Sequence, residues 1–194
     1  MNHYFIIHKP FQVLSQFTAD GGKQCLKDYF DVPNDVYPVG RLDYDSEGLL
    51  LLTNDKRMNY ALLHPTQQHA RTYWAQVEGI PSLDAIKKIQ SGVQLNIDGK
   101  IFLTAACKAK LLNPDPMVAE RNPPIRFRAN IPTSWLQLTL TEGKNRQVRR
   151  MTAAIGHPTL RLIRYSIGNC TLDGLAPGEM RAISELQCRN LFLK

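Results

Sequence analysis

The chain is short of every feature that marks a metal centre, a disulfide scaffold or a membrane span. Only four cysteines occur in 194 residues. Cys25, Cys107, Cys170 and Cys188 stand too far apart for a CxxC ligand pair, and reduced thiols in a cytoplasmic protein are the expected state. His3, His8, His64, His69 and His157 are equally scattered, and none pairs at i,i+4 as a zinc motif requires. No apolar run approaches the ~20 residues of a membrane span, and the longest, Leu49 to Leu52, is strand-sized. The opening MNHYFIIHKP has too short an apolar stretch for a secretory signal. A phosphate loop, an internal repeat and a low-complexity tract are also absent. The expectation is a globular chain with no metal, no cofactor and no membrane partner.

Acidic residues are missing from one region in particular. Residues 1–97 carry 9 Lys+Arg against 10 Asp+Glu, whereas residues 98–194 carry 15 against 7. Between Arg121 and Arg164 nine basic residues, mostly arginine, face one acid, Glu142. A one-sided patch of this kind suits a polyanion, and arginine leans toward phosphate and base recognition. A merely solvated basic surface is the alternative. Apolar content of 43% and charged content of 21% are ordinary for a globular protein, and the length fits one domain spanning 1–194.

Periodicity supplies the elements. Tyr4 to His8 reads as a strand ended by Lys9-Pro10. Cys25 to Phe30 is a short helical turn after the Gly21-Gly22 loop. Leu49 to Thr53 is a buried strand, and Tyr60 to His64 is helical up to Pro65. Tyr73 to Glu78 alternates as a strand. Ser82 caps a helix that ends at Gly92, and Val93 to Thr104 folds as a hairpin about Asp98-Gly99. Lys108 to Leu112, Trp135 to Thr141, Leu160 to Ser166 and Met180 to Ile183 are further strands. Residues 113–132 form a proline-rich connection long enough to be functional. Short strands with few helices, and no strict βαβ alternation, predict an α+β fold with a mixed, largely antiparallel sheet.

The most informative stretch is Gly40 to Asp55, GRLDYDSEGLLLLTND. It sets the carboxylate of Asp43 beside Arg41 at the entry of a buried strand, which is where active sites commonly hold an ionisable group. Asp43, Asp45, Glu47 and Gly48 also fall on places 1, 3, 5 and 6 of a calcium loop. Place 12, however, is Asn54 where a bidentate acid is needed, and four leucines make a poor ligand loop. A solvating acidic turn is the other bland reading. A second constellation is the predicted helix from Asn145 to Ile155. At 100° per residue Val148, Met151, Thr152 and Ile155 share a core-facing side, with Arg146, Arg149 and Arg150 opposite and near the anion-favouring N-terminus.

The Gly-Arg-Leu-Asp stretch, the segment Gly143-Lys144-Asn145-Arg146-Gln147-Val148-Arg149-Arg150-Met151, and Arg71-Thr72-Tyr73 together resemble the RsuA branch of RNA pseudouridine synthases. The resemblance extends from Lys9-Pro10 to Gly178-Glu179-Met180-Arg181 and is closest to enzymes that act on the large ribosomal subunit. It implies the family's catalytic fold, in two lobes with a central active-site cleft, and uridine isomerisation in 23S ribosomal RNA without metal or cofactor. It makes Asp43 the catalytic aspartate, Arg149 the arginine that pairs with it, and Tyr73 the ring that stacks on the target uracil. Arg41 is assigned to the gap left in the RNA. Lys144, Arg146, Arg150, Arg121, Arg126 and Arg128 are the expected RNA contacts, with the Arg121–Pro132 connection choosing the target. The family commonly has lysine where Arg71 stands, and many relatives have glycine where this chain has Gln12. Relatives also carry an S4 RNA-binding domain that is not expected here, and the chain is expected to act as a monomer. A non-catalytic RNA-binding or ribosome-assembly module explains the basic patch equally well, but leaves an acid beside Arg41 without a purpose.

Overall fold

A computed structural model describes residues 1–64, 69–126 and 128–192. In chain order the strands and helices are β1 (Tyr4–Lys9), β2 (Tyr37–Pro38), β3 (Glu47–Thr53), α1 (Lys56–Leu63), β4 (Arg71–Glu78), α2 (Leu83–Ser91), β5 (Gln94–Ile97) and β6 (Lys100–Leu103). There follow β7 (Lys108–Leu111), β8 (Thr133–Leu140), α3 (Gln147–Ala154), β9 (Thr159–Ile167), β10 (Cys170–Thr171), β11 (Met180–Ala182) and α4 (Glu185–Phe192). A 3-10 turn at Leu26–Asp28 lies between β1 and β2. The expected α+β class is what forms. The chain divides into two compact units, residues 1–69 with 163–194, and residues 70–162.

In the first unit the strand order is β11-β1-β3-β9. β3 is buried at all seven positions, which is why its sequence is a leucine run and not an alternation. One edge of β3 pairs antiparallel with β1, Ile6 opposite Leu51 and Lys9 opposite Gly48. It also runs parallel to β9 at Glu47 and Gly48 and antiparallel to β2 at Leu52 and Thr53. Ile7, Val13, Leu26, Phe30, Val36, Leu50 and Leu52 form the core beside it.

In the second unit the order is β4-β8-β7. β4 and β8 pair along their whole length, from Arg71 opposite Leu140 to Glu78 opposite Thr133. Ala75, Val77, Leu136, Leu138 and Leu140 meet Ile86 and Ile89 of α2 and Val148 and Met151 of α3 in one core. The expected caps are present. Ser82 accepts a hydrogen bond from Ala85 N, and Gly92 ends α2 at φ 102°. The Asp98-Gly99 turn has positive φ at both residues, as an Asp-Gly hairpin turn requires.

The differences from the sequence expectations are local. α3 begins two residues later than Asn145, because Arg146 adopts a left-handed conformation, φ 50° and ψ 33°, and serves as the N-cap. Pro65, the expected stop of α1, lies outside the described residues. β2 and β10 are two residues each and leave no periodic trace. α4 was not expected, although Ser184 and Gln187 form a reciprocal capping pair that marks a helix start. The four cysteines are free thiols, and burial pushes Cys170 and Cys188 up to about 12. No helix among the described residues is long and apolar enough to cross a membrane.

Candidate active site

The Asp43 loop is held from below by buried polar groups of the first unit. The chain leaves β2, where Val39 N donates to Leu51 O at 2.8 Å, and passes Gly40 at φ 73°. Leu42 is then clamped by one hydroxyl. Ser15 Oγ accepts from Leu42 N at 3.0 Å and donates to Leu42 O at 2.8 Å. Asp43 follows, half-buried, and its carbonyl accepts Ser46 N at 3.0 Å, closing a turn through Tyr44 and Asp45. Arg41 is exposed. The loop re-enters the sheet at Glu47, 2% exposed, and at Gly48. Only glycine fits that position: φ is 121°, and a Cβ would fall 2.5 Å from the backbone nitrogen of Arg164.

Lys9 is fully buried beneath this loop. β1 ends at Lys9 because Pro10 has no N–H to give, and the turn leaves two carbonyls without strand partners. The Lys9 ammonium donates to both, Pro10 O at 2.8 Å and Val13 O at 2.7 Å. Burial pulls the Lys9 ammonium down to about 7, against the opposing pull of Glu47, Asp45 and Asp43. Arg164, 5% exposed, is the second buried cation, and its Nε donates to Leu49 O at 2.8 Å. Neither Lys9 nor Arg164 was singled out from the sequence. The available signal for Lys9 was a lysine closing an otherwise apolar strand immediately before proline.

In the second unit Tyr73 lies on β4 on the same side as Ala75 and Val77. Its half-buried ring packs at the margin of the core. α3 is set by a chain of polar contacts: Gln147 Oε1 accepts Lys144 N at 2.9 Å while its amide donates to Glu142, which also accepts Ala105 N at 2.9 Å. Glu142, the one acid in the basic stretch, thus fastens the start of α3. Arg149 is half-buried, with Nη1 3.4 Å from Thr159 O.

The basic residues expected to contact RNA sort by the partners they have within the fold. Arg150 donates to Asn96 O at 2.6 Å, and the Lys144 ammonium sits 5.0 Å from the centre of the Phe102 ring. Arg128 pairs with Glu78 at 3.1 Å. Arg121 donates to Pro123 O, Pro124 O and Leu160 O, fastening its own connection. Arg126 and Arg146 are exposed. Arg161 and Arg164, counted in the basic stretch, are each 5% exposed and bind the carbonyls of Ala119 and Leu49, so the surface patch is smaller than the sequence suggests. No cluster of His, Cys, Asp or Glu among the described residues could hold a metal ion.

Comparison with known proteins places these features in a family. The RNA pseudouridylate synthase family profile matches residues 3–154. The chain is 51% identical over 178 residues to ribosomal large subunit pseudouridine synthase E of Vibrio parahaemolyticus, covering 92% of this chain and 72% of that one. It is 47% identical over 186 residues to the protein of the same name from Xanthomonas axonopodis pv. citri, covering 95% of both. A crystal structure of a pseudouridylate synthase superposes with a TM-score of 0.79 at 25% identity, over 98% of this chain and 74% of that one. The chain belongs to the RNA pseudouridine synthase family.

Proposed function

We propose that this enzyme converts uridine to pseudouridine in large-subunit ribosomal RNA. The observation that carries the substrate class is the identity of 51% and 47% to two synthases named for the large ribosomal subunit, across nearly the whole chain. The family profile runs through both compact units, so both are taken to serve one catalytic module. The reaction breaks N1–C1′, turns the uracil, joins C5 to C1′ and moves the C5 proton to N1. No atom is gained or lost, so no external oxidant, reductant or group donor is required.

Asp43 supplies the essential carboxylate, acting either on C1′ as nucleophile or on C2′ as base. Arg149 is the arginine assigned to orient this carboxylate. Tyr73 offers the aromatic face on which a flipped uracil stacks, offsetting an unstacking cost of about a few kcal/mol. Arg41, exposed and two residues before Asp43, takes the place the base leaves. Lys144, Arg146, Arg150, Arg126 and Arg128 guide the RNA backbone. Arg121 acts indirectly, by shaping the Arg121–Pro132 connection.

Release of tritium from large-subunit ribosomal RNA labelled at uridine C5 tests the reading. Wild-type protein is expected to release label, and Asp43→Asn to release none while still binding RNA. Turnover by purified Asp43→Asn would remove Asp43 from its role, and inactivity of the wild type on this RNA would remove the substrate.

A further inference from the structure

The first unit contains a cavity that the catalytic loop does not use. It measures about 660 Å³ and is lined by Asp35 and Tyr37, by Thr53 to Lys56, and by Asn59, Tyr60, Leu63 and His64. Its construction follows from the fold. β2 and the end of β3 pair at Tyr37 and Thr53, and α1 starts directly after β3. Met58 and Leu62 turn into the core. Positions 56, 59, 60, 63 and 64 then form the neighbouring helical stripe, which faces the cavity. Thr53 lies six residue steps along β3 from Glu47, so the cavity opens roughly 20 Å from the Asp43 end of β3.

The lining is unusual for a surface dent. Tyr37 is 60% and Tyr60 64% exposed, yet both line the same cavity, and the His64 ring stands 4.8 Å from the Tyr60 ring. Exposed tyrosines scattered singly need no explanation, but two beside polar edges make an aromatic platform. Asp55 is not available to a ligand. It caps α1 by accepting Arg57 N at 2.9 Å and accepts the Tyr4 hydroxyl at 2.8 Å. Asp35 is the exposed acceptor, with one oxygen 2.7 Å from the Asn54 amide. Lys56 also lines the cavity, and Arg57 stands next to it on the exposed first turn of α1.

We infer that this cavity is a second base-binding site, which takes an unpaired, amino-bearing nucleobase of the RNA substrate at a distance from the reacting uridine. The inference rests on the RNA-modifying function proposed above. Phenol rings supply the stacking faces that unpaired bases use in RNA recognition. The Asp35 carboxylate accepts from an exocyclic amino group, which guanine, adenine and cytosine have and uracil lacks. The site therefore does not compete for the target base. Lys56 and Arg57 lie where the attached phosphates would run, while Asp35 turns a phosphate away from the interior, so the nucleotide enters base first. The two carboxylates of the lining, Asp35 and Asp55, are met by Lys56 within it and by Arg57 beside it on α1, so the formal charges of cavity and rim cancel and do not by themselves select a basic side chain.

The double variant Tyr37→Ala/Tyr60→Ala tests this, since both rings are mostly exposed and their loss spares the core. The probe is protein-free large-subunit ribosomal RNA made by transcription. Wild type must first modify it, and wild-type inactivity would fault the substrate reading and not the cavity. Given activity, the double variant is expected to raise Kd and KM roughly tenfold, the effect of losing about one base–aromatic stack, with kcat unchanged because the lost contact is uniform binding. Photo-crosslinking of the same RNA carrying 6-thioguanosine is expected to label Tyr37 or Tyr60 in the wild type. Unchanged Kd and KM, or thioguanosine crosslinks confined to other residues, would overturn the inference. A defect seen only on protein-containing ribosomal particles would also overturn it, by assigning the cavity to a protein partner.

Discussion

Lys9 gives the most direct test of how the Asp43 loop is supported. In the unfolded chain a lysine titrates near its ordinary value of about 10.4, whereas burial lowers it to about 7 in the fold. Between those values the unfolded state binds a proton that the folded state has released. Stability therefore rises with pH through this window, and below pH 7 the full cost of burying the charge is present. The slope is about 1.4 kcal/mol per pH unit where the two states differ by one whole proton, and the full window amounts to about 5 kcal/mol. Lys9→Met keeps the length of the side chain and removes the titration. Its absolute stability is a poor guide, because the carbonyls of Pro10 and Val13 lose their donor, at about 1–3 kcal/mol each if they stay dry. The difference between wild type and variant is the useful quantity, since other titrating groups cancel in it. Urea unfolding at pH 7.5, 8.5 and 9.5 should show the wild type gaining on Lys9→Met by roughly 1 kcal/mol per unit. A difference that stays flat across this range would show that Lys9 is as charged in the fold as in water, and the burial argument would fail.

Three further outcomes follow from the geometry. Gly48→Ala places a methyl against the Arg164 backbone at a residue with φ 121°. Strain and overpacking together should cost about 3–5 kcal/mol, a fall of roughly 10 °C in Tm by calorimetry, and a melting point equal to wild type would mean that β3 and β9 part easily there. For Tyr73, Phe should keep RNA affinity and Leu should lose about 1–3 kcal/mol in filter binding; equal affinity for the two variants would make the ring a packing residue only. Arg146→Ala and Arg150→Ala should each lower the salt slope of RNA binding by just under one per phosphate contact, and Arg150→Ala should in addition cost about 1 kcal/mol of folding stability through the Asn96 contact; an unchanged salt slope in either variant would remove that arginine from the RNA surface.

The fold was largely legible because its elements obey local rules. A four-leucine run could only be a strand buried on both faces, and β3 is one. Alternating Leu136, Leu138 and Leu140 faced the core as period two demands. What escaped was set by tertiary context. β2 exists because Tyr37 and Pro38 meet Leu52 and Thr53, and two residues carry no period. In sequence Arg146 reads as the second residue of a helix, since nothing in its identity announces the left-handed conformation that makes it the cap.

The candidate site was legible as a motif and not as a support. Asp43, Arg41, Tyr73 and Arg149 could be named because a family pattern marks them. Lys9, Ser15 and Arg164 could not, because a charged or hydroxyl side chain is by default expected at the surface. Their burial follows from backbone arithmetic that a sequence does not display. Where β1 stops at Pro10, two carbonyls leave the ladder and need a donor, and a lysine one residue earlier can curl back to reach both. Arg164 Nε reaches the carbonyl of Leu49 in the same way, at the parallel start of β3. A buried cation is tolerated only where such acceptors and nearby carboxylates replace its water. Glu47, Asp45 and Asp43 pull in that sense on Lys9. The acidic turn that resembled a calcium loop in sequence therefore acts on a lysine the chain carries itself: its carboxylates favour the charged form of Lys9, and burial opposes them.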